Sequence, residues 1–351
     1  MSLRTLTTTL ILLAVGTLGS FAAAALGWPM PYVLGSLLTS AIIATSLSHR
    51  LPAGYGFPQK LRSGFIAVIG LVIGAQVTST LFSQAPKLIY SFSALMVFVV
   101  VAQGMNYLIF KHVGKYDRQT AFFAGSPGGL FESISLGEEA GADLRLLMLQ
   151  QFLRIILVVT MVPIGFSWWY GAPVGSASGI SLSHSTTTSI ADIVVLVGVG
   201  ALGMYLGKIF RLPAPQLIGP IIAAAALNLS GIVEINVPNG LISVAQVVVG
   251  TGLGMRFRGM THRLLLRGAG LSFLSVGAML ILGLLLSVIL VPLTGQPLDV
   301  LLISFAPGGV TEMTLVALSL SANPAFVTLH HLFRIIVTVI LLGQSKRFFK
   351  T

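Results

Sequence analysis

Long apolar stretches separated by short polar connections run along the whole chain. Four clear examples are Leu6–Leu26, Leu88–Phe110, Ile190–Phe210 and Leu271–Leu293. Each reaches the roughly 20 apolar residues that a helix needs to cross about 30 Å of hydrocarbon. The pattern therefore predicts an all-α polytopic membrane protein.

The second half of the sequence repeats the first. Three separate motifs recur, the last two at one constant offset of 180 residues. They are Trp28–Gly35 with Leu212–Gly219, Ser126–Glu132 with Ala306–Glu312, and Gln150–Ile156 with His330–Ile336. Such self-similarity predicts a duplicated architecture. The predicted domains are an N-terminal membrane repeat over residues 1–170, a Gly/Ser/Thr-rich linker over 171–189 and a C-terminal membrane repeat over 190–351.

A Pro-Gly-Gly segment interrupts the apolar pattern of each half, after four long spans and before a last one. Proline and paired glycines weaken a continuous helix, and broken backbone at membrane depth is tolerated only where it is buried in protein or lines a cavity. Two interpretations stay open from this pattern alone. The segment is either a re-entrant hairpin that returns to its own side or a broken helix that crosses.

The positions of lysine and arginine favour the hairpin. Each half then has about five spanning helices, the second half inserts upside down relative to the first, and 17 of the 20 Lys and Arg residues fall in cytoplasmic loops. A crossing segment would instead place the four-arginine loop Arg256–Arg267 outside. The charges thus predict two inverted repeats with both termini in the cytoplasm. We expect the membrane to be a bacterial inner membrane.

The first 26 residues also have the features of a secretory signal peptide, namely Arg4, an apolar stretch and the alanines of Ala22–Ala25. The second half has an apolar stretch at the equivalent place, which a cleaved signal would not explain. We therefore expect this segment to be retained as the first span.

The composition mainly excludes other classes of protein and site. Hydrophobic residues make up 55% of the chain and charged residues 8%, whereas water-soluble domains carry about 25% charge. The net charge of +11 does not indicate nucleic-acid binding, because no aqueous domain is predicted to carry a basic patch. Without cysteine the chain cannot build disulfides or thiolate metal sites. We expect no cofactor and no metal; the expected partners are a small solute and the lipid bilayer, with homo-oligomerisation left open.

The motifs Ser126–Gly129, Gly141–Asp143, Gln151 and Arg154 resemble the AbrB-type membrane proteins, and the likeness covers essentially the whole chain. Members of that family carry labels such as ammonia monooxygenase or regulator. Their architecture is related to that of inverted-repeat secondary transporters. The resemblance implies the fold more firmly than the function, since no settled substrate comes with it.

The second half departs from this family pattern. Asn323 replaces Asp143, and His330-His331 replaces Gln150-Gln151. We expect the two halves to play unequal parts.

Arg154 and Arg334 are the main candidates for a functional site. Each lies about ten residues into its span, roughly 14–15 Å deep and near the midplane. A guanidinium there must face the protein interior or a water-filled cavity. It would either bind a substrate anion or lock the structure by pairing with a carboxylate or with carbonyls of the broken segment. Gln151 and His331, three residues earlier, add to a polar face on each helix and are further candidates.

Two more residue types accompany each arginine. Glu132 and Glu312 are candidate proton-coupling residues at a broken helix, or first-turn acids that the helix macrodipole favours. The glycine pairs Gly128–Gly129 and Gly308–Gly309 could present backbone N–H groups to an anion, or could serve only close helix packing.

These patterns favour a secondary transporter that moves a small anionic solute by alternating access, with proton coupling. The main alternative is a membrane sensor or regulator that transports nothing, and a channel is not separated from a carrier. An oxygenase is disfavoured, because the adjacent His330 and His331 would point about 100° apart on a helix and make a poor chelate. We expect no enzymatic activity.

Overall fold

The computed structural model of the protein describes residues 3–77, 87–174, 190–212, 214–231, 237–260, 262–320 and 322–345. These residues form α-helices, short 3-10 and π-helical turns and connecting loops, and no strand occurs among them. The all-α prediction is confirmed. Most of the predicted linker, residues 175–189, lies outside the described ranges.

Each half contributes seven α-helices to the described part of the chain, in the same order. Those of the first half are α1 (Leu3–Ala25), α2 (Pro31–Ser46), α3 (Gln59–Ala75), α4 (Leu88–Leu108), α5 (Arg118–Ala124), α6 (Leu130–Glu139) and α7 (Leu144–Tyr170). Those of the second half are α8 (Ile190–Ile209), α9 (Pro215–Ser230), α10 (Asn239–Gly254), α11 (His262–Thr294), α12 (Leu298–Phe305), α13 (Val310–Ser319) and α14 (Pro324–Ser345). A π-helical turn, Ile109–Val113, extends α4, and a 3-10 turn, Met255–Phe257, follows α10.

Seven of the described helices are long and apolar enough to cross a membrane, judged by length and composition. They are α1, α4 with its π-helical turn, α7, α8, α10 with its 3-10 turn, α11 and α14. Helices α2 and α9 are also apolar but have 16 residues each, about 24 Å of helix. The chain is therefore a polytopic membrane protein, while the total of about ten spans stays a prediction.

The Pro-Gly-Gly segments interrupt the helices, as predicted. In the first half, α5 ends at Ala124 and α6 begins at Leu130. In the second, α12 ends at Phe305 and α13 begins at Val310. Gly129 precedes α6 with a φ of 61°, a left-handed conformation that glycine adopts without steric cost. The choice between a re-entrant hairpin and a broken crossing helix stays a prediction.

The chain divides into two compact units, and each unit takes segments from both halves of the sequence. The first unit comprises Met1–Phe82, Pro163–Met260 and Leu318–Ala325. The second comprises Ser83–Val162, Thr261–Ala317 and Phe326–Thr351. Helices α1 to α3 and α8 to α10 thus belong to the first unit, and both Pro-Gly-Gly segments belong to the second.

Glycines allow the helix backbones of the first unit to touch. A Cβ added to Gly70 of α3 would lie 2.6 Å from the carbonyl oxygen of Leu217 in α9. A Cβ added to the equivalent Gly250 of α10 would lie 2.5 Å from the carbonyl oxygen of Val33 in α2. Leu217 and Val33 occupy the same position in the repeated motif. The third helix of each half therefore packs on the second helix of the other half.

The next helical turn repeats this exchange. A Cβ on Gly74 would lie 2.4 Å from the Ile221 carbonyl oxygen, and one on Gly254 would lie 2.3 Å from that of Leu37. Reciprocal contacts of this kind are expected when two similar parts are related by a two-fold axis. Inverted and parallel repeats both have such an axis and differ in its direction relative to the membrane. Opposite insertion of the halves stays a prediction.

Candidate functional site

The two mid-span arginines lie in the second unit, and each binds the broken segment of its own half. Arg154 is 6% exposed and Arg334 is 1% exposed. Arg154 donates from Nη1 to the carbonyl oxygen of Ser126. Arg334 donates from Nη1 to the carbonyl oxygen of Ala306 and from Nη2 to that of Gly308, the latter at 2.6 Å. The sequence left two structural partners open for each arginine, a carboxylate or carbonyls of the broken segment. The described hydrogen bonds of both arginines go to carbonyls.

Neither arginine uses all five of its N–H donors in these bonds. The Nε atoms of Arg154 and Arg334 are buried and have no hydrogen-bond partner within the described residues. A Cβ added to Gly128 would lie 3.6 Å from Arg334 Nε, so this arginine of the second half also reaches the Pro-Gly-Gly segment of the first. A buried N–H of a charged group without an acceptor is costly. The two Nε–H groups are therefore buried hydrogen-bond donors without an acceptor among the described residues.

Gln151 and His331 make equivalent bonds with different chemistry. Gln151 donates from Nε2 to the carbonyl oxygens of Phe123 and Ala124, both at 3.2 Å, and to Ser126 Oγ at 2.9 Å. His331 Nε2 lies 3.0 Å from the carbonyl oxygen of Ile303, the repeat equivalent of Phe123.

The acceptor atoms of these two side chains complement the arginine donors. Because a carbonyl only accepts, Nε2 of His331 carries the proton and Nδ1 is an acceptor. His331 Nδ1 and Gln151 Oε1 are both buried and without a partner among the described residues. Each half therefore offers one arginine donor and one acceptor, three residues apart on one helix.

The preceding residues, Gln150 and His330, are held by serines of the opposite half. Ser272 Oγ donates to Gln150 Oε1, and Gln150 Nε2 donates to the Tyr116 hydroxyl at 2.8 Å. His330 Nε2 lies 2.8 Å from Ser91 Oγ, and its Nδ1 lies 2.8 Å from its own helix at the Phe326 carbonyl oxygen. These two side chains tie helices together.

The predicted proton-coupling residues lie at the third position of α6 and α13. Glu132 is half-buried, while Glu312 is 5% exposed. A Cβ added to Gly129 would lie 3.4 Å from Glu132 Oε2, and one on Gly309 would lie 2.0 Å from Glu312 Oε2. Both carboxylates therefore fold back over the glycine that precedes their helix, as in a capping box. This position suits a first-turn acid and keeps both carboxylates beside the Pro-Gly-Gly segments.

The glycine pairs are closely surrounded. A Cβ on Gly128 would lie 3.1 Å from Thr338 Oγ1, and one on Gly308 would lie 2.6 Å from Met313 Cγ. Gly308 also supplies the carbonyl that Arg334 binds. Close packing is thus a visible role of these glycines, whereas anion binding by their N–H groups stays a prediction.

Two polar side chains that were not predicted from the sequence support the first broken segment. Ser133 of α6 lies 2.5 Å from Ser126, oxygen to oxygen, and its equivalent in the second half is Met313. Asn106 of α4 donates to the Gly125 carbonyl at 3.0 Å and accepts from Ser275 at 2.8 Å. A lone asparagine in an apolar span was the available signal.

Metal ligation has little support in this geometry. Across the described ranges, no group of three or more His, Asp or Glu side chains could hold a metal ion. Besides the carboxylates of Glu132 and Glu312, the polar groups of the site are guanidinium, amide, imidazole and hydroxyl groups, and the guanidinium groups favour an anion.

Replacing His331 with glutamine should leave the protein folded, because Gln151 already shows that an amide can reach this carbonyl position. His331→Leu should lower the melting temperature, since the buried carbonyl of Ile303 then loses its side-chain donor and keeps only the Ala306 amide, which it shares with Leu302, at a cost of about 1 kcal/mol. Thermal unfolding of both variants in detergent is the measurement. Equal losses of stability in the two variants would show that the donor at this position is not what matters.

The comparisons with known proteins agree with the resemblance found from the sequence motifs. A family model described as "Transition state regulatory protein AbrB" matches residues 41–350. "Uncharacterized protein YhjN" of Bacillus subtilis (strain 168) is 24% identical over 355 residues, covering 95% of this chain and 91% of the relative. "Putative regulator AbrB" of Escherichia coli (strain K12) is 25% identical over 253 residues, covering 66% of this chain and 70% of the relative. The chain belongs to the AbrB family of membrane proteins.

Proposed function

We propose that this protein is a secondary transporter that moves a small anionic solute across the bacterial inner membrane by alternating access. One observation carries the proposal: two buried mid-span arginines, one from each half, keep an unpartnered Nε–H beside the broken segments. Secondary transporters bind substrate near the midplane, at the interface of two repeats and on discontinuous helices. Burial strengthens the attraction between a guanidinium donor and negative charge.

Arg154 is the principal anion ligand in this proposal. Within the described residues it makes one hydrogen bond, to Ser126, and is the more exposed of the two arginines. Arg334 is held by two carbonyls, so its guanidinium is fixed in place. It contributes its Nε–H donor and its positive charge to the anion site. The N–H groups of Gly128–Gly129 and Gly308–Gly309 would complete the anion site.

The acceptors beside the arginines narrow the class of solute. Gln151 Oε1 and His331 Nδ1 can only accept a hydrogen bond, so a bare anion would leave them unpaired. A solute with both a carboxylate and a hydroxyl or N–H group would satisfy donors and acceptors together. Small hydroxycarboxylates are therefore the first solutes to assay.

Proton coupling is the accompanying proposal for Glu132 and Glu312. Each half brings one acid and one arginine to the same region, so the formal charges balance in the empty site. An arriving anion adds negative charge there, which favours protonation of a nearby carboxylate. The sequence contains no P-loop motif, so an ion gradient is the expected energy source. Both termini lie in the cytoplasm under this proposal.

The second candidate function is a membrane regulator that binds its solute without moving it. The names of similar proteins favour it, since the family description contains the word regulatory and one relative is called a regulator. Such a protein would use the same arginines to bind the anion and would show no turnover. Flux, not binding, separates the two functions.

The test is uptake of radiolabelled hydroxycarboxylates into liposomes that contain the purified protein. A carrier gives saturable uptake and counterflow, in which unlabelled solute inside the vesicle drives labelled solute in. Binding to the protein without flux would support the regulator instead. Flux that does not saturate would indicate a channel.

Glu132→Gln and Glu312→Gln should each abolish the stimulation of uptake by an inward proton gradient while counterflow persists. Glutamine keeps the size and hydrogen bonding of the side chain but cannot take up a proton. Glu138→Gln, on the exposed end of α6, is the matched control and should behave as the wild type. Retained gradient stimulation in both site variants would show that the glutamates are first-turn acids only.

A further inference from the structure

A groove of about 470 Å³ lies in the second unit, apart from the arginine site. It runs between the π-helical end of α4, the start of α7 and the start of α11. Its walls are aliphatic and are formed by Val113, Leu146, Leu149, Leu264, Leu271 and Leu274. The groove therefore suits a hydrocarbon chain more than a soluble metabolite.

Close contacts between helices fix the shape of this groove. A Cβ added to Gly114, just after the π-helical turn, would lie 2.6 Å from Leu271 of α11. A Cβ added to Gly268 of α11 would lie 2.6 Å from Leu149 of α7. The walls are thus set by direct contacts between three helices of one unit, and π-helical turns often occur at functional positions.

The lining of the groove also includes one charged and one polar side chain. Arg267 lines it and is exposed. Tyr116 lines it as well, and its hydroxyl accepts a hydrogen bond from Gln150 at 2.8 Å, which leaves the hydroxyl proton available for another acceptor. Burial raises the pKa of Tyr116, so this hydroxyl stays protonated and can donate.

The surroundings of the groove carry more positive than negative charge. Residues 111–117, 143–149 and 263–274, which form it, contain five Lys or Arg residues and two acidic ones. The basic residues are Lys111, Lys115, Arg145, Arg263 and Arg267, all exposed. Each acidic residue is engaged at a helix start: the Asp117 carboxylate accepts from the Thr120 amide, and that of Asp143 accepts from the amides of Arg145 and Leu146. An anionic group at Arg267 would therefore meet a net positive field.

We infer that this groove binds an anionic phospholipid, with an acyl chain along the leucines and the phosphate at Arg267 and Tyr116. A basic site between helices, at the level where they leave the membrane, is the arrangement that recognises anionic headgroups. A soluble phosphate would use the charge and leave the leucine walls unfilled, and a zwitterionic lipid would gain little from the basic surroundings. This inference does not depend on the proposed transport function.

Native mass spectrometry of the full chain in a neutral detergent tests the inference. Dioleoyl phosphatidylglycerol and dioleoyl phosphatidylcholine are titrated separately, and the affinity of the first bound lipid is measured for each. We expect phosphatidylglycerol to bind more tightly. Arg267→Gln should weaken its binding about fivefold, the factor for one basic residue near a membrane surface, and Arg267→Glu should weaken it further.

Arg50→Gln is the matched control, because Arg50 is also exposed but lies in the first unit. It should leave phosphatidylglycerol binding unchanged. Equal affinity for the two lipids, or equal effects of Arg50→Gln and Arg267→Gln, would overturn the inference. Displacement of the bound lipid by millimolar glycerol 3-phosphate would also overturn it, since the site would then recognise the phosphate alone. Melting temperatures of the variants show whether each one is folded.

Discussion

Replacing Arg154 with glutamine is expected to reduce saturable uptake of the solute about 100-fold while the protein still folds. Removing one partner from a buried charged contact costs about 2–5 kcal/mol, and each 1.4 kcal/mol is a factor of ten. The fold should survive because Gln151 already anchors the same segment through Phe123, Ala124 and Ser126. The measurement is uptake into proteoliposomes, with the melting temperature in detergent as the check on folding.

Arg334→Gln is the informative comparison, and we expect it to behave differently. Arg334 binds two carbonyls, at Ala306 and Gly308, and its neighbour His331 holds only one other, at Ile303. Removing this guanidinium breaks two of the three side-chain hydrogen bonds to the second broken segment and the helix before it, so folded yield should fall. Normal uptake in folded Arg154→Gln protein would mean that the anion binds elsewhere. Loss of folding in both variants would favour the interpretation of both arginines as structural locks.

The second large effect is expected for Gly70→Ala and Gly250→Ala, which should each lower the melting temperature by several degrees. The new Cβ would lie 2.6 Å from the carbonyl oxygen of Leu217 or 2.5 Å from that of Val33. Backbone atoms cannot move aside as a flexible side chain can. Overpacking of this kind costs about 1–3 kcal/mol, and close backbone contact between small residues is a main source of helix association in membranes.

The controls lie on the same two helices. Gly64 of α3 and Gly240 of α10 have nothing within 4 Å of the position a Cβ would take. Alanine at these positions should be neutral or slightly stabilising, because alanine favours a helix over glycine by about 1 kcal/mol. Equal effects at the packed and open positions would show that helix propensity, not the contact between halves, determines the result.

Much of the fold followed from the sequence, for identifiable reasons. The repeat motifs predicted corresponding helices in the two halves, though not that each half has seven. The two Pro-Gly-Gly segments marked the breaks because proline and glycine act on the local backbone. The burial of Arg154 and Arg334 followed from counting residues along apolar spans. Each of these features depends on the type and position of residues along the chain, which a single sequence gives.

The packing between halves did not follow from the sequence. Gly70 and Leu217 lie far apart along the chain, and nothing in either residue indicates its partner. For the same reason the chain's division into two units that mix both halves was not predicted. A glycine that permits close approach has the same letter code as one that faces open space, such as Gly64.

The partners of the site residues were predicted only in part. The sequence left the choice between carboxylate and carbonyl partners open for Arg334, and the described bonds go to Ala306 and Gly308. The replacement of Gln151 by His331 suggested unequal halves, yet both side chains offer an N–H to the same carbonyl position. Chemical equivalence of this kind depends on reach and geometry, which residue types alone do not give.

Opposite insertion of the two halves is the feature on which the carrier depends, and cysteine labelling tests it directly. Lys115 follows α4, and Gln296 follows α11, one residue beyond Gly295, the repeat equivalent of Lys115. Single cysteines at these positions, and at Ser178 in the linker beyond the described residues, should be treated with an impermeant thiol reagent in sealed vesicles of known orientation. We expect the cysteine at 115 to react only from the cytoplasmic side and those at 178 and 296 only from the outside. Labelling of all three from the same side would contradict the inverted repeat and the carrier built on it.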